Sequence, residues 1–126
     1  MSSPRSIDKR RVWWANEAAK AEYLALPSEV REMADFATTN LQNGREQETT
    51  KLKGNLSGID EVKCDLDGEA YRVFYMRGFP GRVAILGALH KKSPTGKTLT
   101  RSLEDRLASR RAGLLQAHRA ERKVKT

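Results

Sequence analysis

Arg72 stands in an otherwise apolar strand pattern, Ala70 to Arg77. Phe74 and Met76 share its side, and Tyr71, Val73 and Tyr75 take the other. A guanidinium stays charged in such a place and binds oxyanions through two parallel hydrogen bonds, so it needs an anionic partner. Two partners fit. An external phosphate would make Arg72 an anion hook. Glu61 or Asp65 on the preceding strand would make it half of a cross-strand ion pair. Glu61 carries the same duality, as a general base or as the partner of Arg72 or Lys63. Lys51 and Lys53 flank Leu52 just before Gly54. Glycine leaves backbone room beside Lys53, whose ammonium can meet a phosphate as a point charge; a solvated loop lysine is the other reading. His90, Lys91 and Lys92 end a third strand, a common place for chemistry. There His90 is either a proton-transfer group or a surface residue.

One tempting motif fails. Lys91 to Thr98 reads KKSPTGKT, but lysine holds the place of the first glycine of a phosphate loop. Without it the backbone cannot wrap a nucleotide. Trp13 and Trp14 suit either base stacking or core packing.

These residues need elements to position them. Asn16 is a cap for a helix carrying Ala19, Tyr23 and Leu26, which Pro27 ends. Pro27 and Ser28 open a second helix, with Ser28 as its cap and Val30, Met33, Ala34, Ala37 and Leu41 at helical spacing; Gly44 stops it. Asp67–Gly68 marks a hairpin between the strand from Ile59 to Leu66 and that from Ala70 to Arg77. In the first of these, Asp60, Val62, Cys64 and Leu66 share one face, and Glu61, Lys63 and Asp65 the other. Gly78 to Gly81 is a second turn, and Arg82 to Leu89 is apolar enough to be covered on both faces. Leu99, Leu103, Leu107 and Leu114 form one stripe of a final helix. The pattern predicts an α+β domain: an N-terminal helical hairpin packed on an antiparallel sheet, with a C-terminal helix. One domain spans 1–126, with a loose N-terminus (1–9) and a basic C-terminal tail (about 116–126).

The composition narrows the partners. Among 126 residues, Lys and Arg outnumber Asp and Glu 24 to 16, a formal charge of +8, so a polyanion is a fitting partner. From Lys97 onward, nine cations face three anions. The single cysteine, Cys64, allows neither an intrachain disulfide nor a Cys-based zinc site and fits a reducing cytoplasm. No apolar run approaches a membrane span, and Val12-Trp13-Trp14 is too short for a signal-peptide core. No metal and no cofactor is expected.

Taken in order, Lys51-Leu52-Lys53-Gly54, then Ile59-Asp60-Glu61-Val62-Lys63, then Tyr71-Arg72-Val73-Phe74-Tyr75, then an apolar strand closing on Lys91-Lys92, resemble the RelE/ParE toxin superfamily. The resemblance is to its HigB-like, phage Gp49-like branch and spans about Trp14 to Leu107. It implies two N-terminal helices on one face of an antiparallel sheet and a concave basic second face. It implies a type II toxin that cleaves mRNA, commonly on the ribosome, without a metal, and that a helix-turn-helix antitoxin neutralises. In that chemistry a ribose 2′-OH attacks the adjacent phosphate. Arg72 then matches the strand arginine that stabilises the phosphate; Lys53, Glu61 and His90 join it as catalytic candidates. Lys51, Lys63, Arg77, Lys91, Lys92 and Lys97 are candidates for holding the RNA backbone. The same fold also serves non-catalytic gyrase inhibitors, and a basic protein that binds nucleic acid without cutting it is a further alternative.

Overall fold

Asp67 and Gly68 set the register of the central hairpin. Both have positive φ, 51° and 79°, and Leu66 and Glu69 exchange two 2.9 Å backbone hydrogen bonds around them. The twist of such a two-residue turn matches that of the paired strands. The computed structural model describes residues 7–91 and 99–125. Its elements run β1 (Val12–Trp14), α1 (Glu17–Leu24), α2 (Ser28–Gln42), β2 (Thr50–Lys51), β3 (Ile59–Lys63), β4 (Ala70–Phe79), β5 (Arg82–Lys91) and α3 (Arg101–Lys125). The expected basic segment from Gln116 is thus helical as far as Lys125. The loop at Ser93, Pro94 and Gly96 lies outside the described residues.

The five strands lie in the order β1-β5-β4-β3-β2. β2 to β5 are antiparallel neighbours, but β1 pairs with β5 in parallel, Val12 to Trp14 against Val83 to Ile85. The sheet is therefore mixed, which corrects the antiparallel sheet expected from the sequence. The reason is connectivity. No hairpin joins β1 to β5; the chain between them passes through two helices and three strands, so nothing forces reversal.

One sheet face packs on α1 and α2. Val62, Val73, Tyr75 and Ile85 meet Tyr23, Val30, Ala34 and Ala37 there. Asn16 caps α1 by accepting from the Ala19 N–H at 2.8 Å. At α2 the cap position falls on Pro27, without a side-chain bond, and Ser28 is already helical. A polar thread crosses this core: the Thr38 hydroxyl lies 2.9 Å from the Tyr75 hydroxyl and 3.1 Å from that of Tyr23, which reaches Asp35 at 2.7 Å. Burial pushes both phenols upward, keeping them neutral. Burial also pushes the Cys64 thiol up to about 11.

α3 covers the opposite face. Its Leu103, Leu107 and Leu114 are buried against Ile59, Phe74, Met76 and Leu86, at about 1.5–3 kcal/mol for each leucine. A charge pair ties α3 to α1. β1 gives out after Trp14, and the last bond to β5 runs from the Ala15 N–H to the Ile85 carbonyl at 3.0 Å. Beyond it β5 has an open edge whose backbone groups need partners. Arg110 of α3 donates to the Leu86 carbonyl at 2.8 Å, and Glu22 of α1 accepts from the Ala88 N–H at 3.3 Å. The two side chains also meet through two 2.9 Å bonds. Gly87 sits beneath them. A Cβ there would lie 2.5 Å from Glu22 Oε1 and 2.7 Å from Arg110 Nη1. Gly87→Ala is therefore expected to force the pair apart and lower stability by about 2–4 kcal/mol. Urea denaturation measures this; an unchanged midpoint would mean that the pair does not hold α3 in place.

Candidate functional site

The turn at Asp67–Gly68 puts Arg72 of β4 directly across from Lys63 of β3, and Phe74 across from Glu61. Because alternate residues share a face, Arg72, Glu61 and Lys63 come together on the α3 side of the sheet. Arg72 is 4% exposed and Glu61 7%. Arg72 Nε lies 3.4 Å from Glu61 Oε2, close enough for an ion pair but not in hydrogen-bond geometry. Its Nη1 donates to Asp65 Oδ1 at 2.6 Å and to the Tyr71 carbonyl at 2.8 Å. The ion-pair reading of Arg72 is thus realised with both acids. The two acids differ. Glu61 is sealed behind the guanidinium, whereas the Asp65 side chain is 56% exposed. A guanidinium held from behind, with only a solvent-facing carboxylate in front, can exchange that carboxylate for another oxyanion.

The other candidates divide by place. Lys63 is exposed beside Arg72. Lys51 faces Asp60 across β2 and β3, and Asp60 receives Arg77 Nε at 3.0 Å and Nη2 at 2.9 Å. Lys53 follows, exposed, at the start of a 3₁₀ turn, Gly54–Leu56. This second basic group is at the Ile59 end of β3, roughly 13 Å by strand rise from Lys63. The structure therefore does not bring Lys53 to Arg72. Nor does it bring His90 there. His90 pairs with Tyr71, one residue off the Arg72–Leu89 pair, so it projects to the α1–α2 side of the sheet. Its ring stacks on Tyr71 at 4.5 Å and its Nε2 lies 2.7 Å from Glu69 Oε2. Lys91 ends β5 opposite Ala70. Lys92 and Lys97 lie outside the described residues.

Two features escaped the sequence reading. The implied concave basic face is instead covered by α3 where Phe74 and Met76 lie. Arg110, one of the nine cations from Lys97 onward, is buried. A signal for it existed: position 110 is in phase with Leu103, Leu107 and Leu114, and a charge inside an apolar stripe needs a buried partner. Among the described residues no group of three His, Cys, Asp or Glu side chains is placed to hold a metal ion. Nor is any described helix long and apolar enough to cross a membrane.

A family model described as phage-derived protein Gp49-like (DUF891) matches residues 21–112. The match includes Glu61, Arg72 and both partners of the Glu22–Arg110 pair. No curated protein and no solved structure matches.

The burial of Arg72 with Glu61 has a thermodynamic signature. Arg72→Met leaves Glu61 an uncompensated buried carboxylate and is expected to cost about 3–5 kcal/mol. Adding Glu61→Gln removes that charge and is expected to restore about 1 kcal/mol or more. Urea denaturation of both variants measures the coupling; strictly additive losses would show that the two side chains do not act as a pair.

Proposed function

This chain belongs to the phage-derived Gp49-like family, a branch of the RelE/HigB-like toxins, and we propose that it is a single-domain toxin that cleaves mRNA. The reading has it act in the cytoplasm, on mRNA engaged by the ribosome, without a metal. A small antitoxin of the helix-turn-helix type neutralises it. The observation that carries the reading is Arg72, buried against Glu61 with an exposed, exchangeable acid at its front.

The chemistry follows from that arrangement. An RNA phosphate displaces Asp65 and takes its place at Arg72 Nη1. The neighbouring 2′-hydroxyl gives its proton to water as its oxygen attacks the phosphorus. The P–O5′ bond breaks and the 5′-oxygen takes up a proton from solvent, and the products are a 2′,3′-cyclic phosphate and a 5′-hydroxyl end. Arg72 stabilises the charge that gathers on the phosphorane, and Glu61 keeps the guanidinium aimed. Lys63 adds positive charge beside it. Lys53, exposed beyond β2, holds an adjoining phosphate, whereas Lys51 and Arg77 gather at Asp60 on the opposite face and take no part at Arg72. His90 lies on the other face and takes no step in this scheme.

One observation favours a second reading. Arg72 already has two acidic partners and its face is largely covered, which suits a toxin that inhibits a protein such as gyrase without cutting RNA. Expression of the chain alone separates the two. The mRNA reading expects growth arrest with 5′-hydroxyl ends mapping within translated regions. Arg72→Lys keeps the buried charge but loses the planar fork, and is expected to lower cleavage roughly 10²-fold in a folded protein. Arrest with an intact transcriptome and DNA-damage signalling would overturn cleavage and favour the second reading.

A further inference from the structure

A second cationic groove lies at the far end of the sheet, around the Pro80–Gly81 turn. It measures about 700 Å³ and is lined by Arg10, Arg82, His118, Glu121 and Arg122. Arg82 lies 3.6 Å over the Trp13 ring and pairs with Glu121. Phe79 braces this shelf, edge-on to Trp13 at 5.0 Å and to His118 at 5.1 Å. The aromatic shelf orients the Arg82 guanidinium through a cation–π contact. Arg10 is almost wholly exposed and among the described residues pairs with Asp8 alone, two residues away. Arg122 is exposed and has no ion-pair partner among the described residues.

Structural roles account for part of this. Arg82 and Glu121 pin the end of α3 to the sheet, and Arg122 suits the negative end of a helix dipole. Neither role explains Arg10, brought from the opposite end of the chain. Arg10 and Arg82 each have one carboxylate partner and Arg122 has none among the described residues, so the groove keeps a net positive charge that attracts an oxyanion. Arg10 and Arg122 also lie outside the residues that the family model matches. Arg82 and the Pro80–Gly81 turn lie within the matched span.

We propose that this groove is a second anion site that holds the backbone of single-stranded RNA away from the cleavage centre. Arg82 pairs with Phe79 at one end of β5, and Leu89 pairs with Arg72 near the other. The seven-residue separation along β5 is roughly 24 Å at the rise of a strand. The groove thus anchors a distant stretch of the same strand and takes no chemical step. The inference rests on the RNA reading above.

The test uses the full chain and the double variant Arg10→Ala/Arg122→Ala, whose altered side chains are exposed. The probe is a labelled single-stranded RNA about 15 nucleotides long, the upper range of common single-strand sites. Its Kd is measured across a salt series, and its cleavage is followed in parallel. The variant is expected to bind about tenfold more weakly, with KM raised and kcat unchanged. The slope of log affinity against log salt should shrink by about 1.4, for two lost phosphate contacts. Unchanged affinity and slope in a variant that still binds RNA would overturn the groove alone. A wild-type chain that binds no RNA would overturn both the groove and the RNA reading. An equal loss of binding to a polyglutamate peptide would make the groove a site for acidic partners and overturn its assignment to RNA.

Discussion

The Glu22–Arg110 pair is the constraint on which the arrangement depends. It forms because β1 pairs with only three residues of β5 and leaves the edge from Leu86 onward open. Backbone groups at such an edge cannot stay unpaired when covered. Arg110 takes the Leu86 carbonyl and Glu22 the Ala88 N–H, and the two charges then satisfy each other. One contact thus completes the sheet, joins a helix on each face and requires Gly87 between them. Everything on the α3 side follows, including the cover over the face that carries Arg72.

The Arg72–Glu61 pair cannot be explained by stability alone. Taking two charges out of water costs several kcal/mol for each, and well-packed apolar side chains commonly do as well or better. The face already holds Ile59, Phe74 and Met76 beside α3, so an apolar pair would continue it. What the charged pair adds is a guanidinium fixed in orientation, with one carboxylate open to exchange. On the proposed reading that is a feature for binding, and it lies within the segment matched by the Gp49-like family.

Local chemistry made much of this legible. Asp67–Gly68 marked the hairpin, and alternation put Glu61 with Lys63 on one strand face and Arg72 with Phe74 on the next, while the register that joins these faces came only with the structure. The leucine spacing from Leu103 to Leu114 marked α3. Long-range matters were not legible. Nothing local to Val12–Trp14 says that this strand joins β5 in parallel. Nor does the leucine stripe name the face it will cover. Lys53 looked close to Arg72 because both belong to one short block, yet β2 and its 3₁₀ turn place it at the other end of β3. His90 looked close because it ends the neighbouring strand. Its side depended on register across irregular pairing at Phe74–Tyr75, where Gly87 and Ile85 are the successive partners.

The central claim is that RNA phosphate exchanges with Asp65 at Arg72. Side-chain NMR of ¹⁵N-arginine-labelled protein tests it most directly, with a non-cleavable 2′-deoxy-substituted RNA titrated to saturation. The account expects the Arg72 Nε–H resonance to move in step with binding, and Asp65→Asn to tighten that binding by removing the competing anion. An Arg72 resonance that stays fixed at saturation, while other arginines shift, would contradict the account and leave Arg72 a structural ion pair.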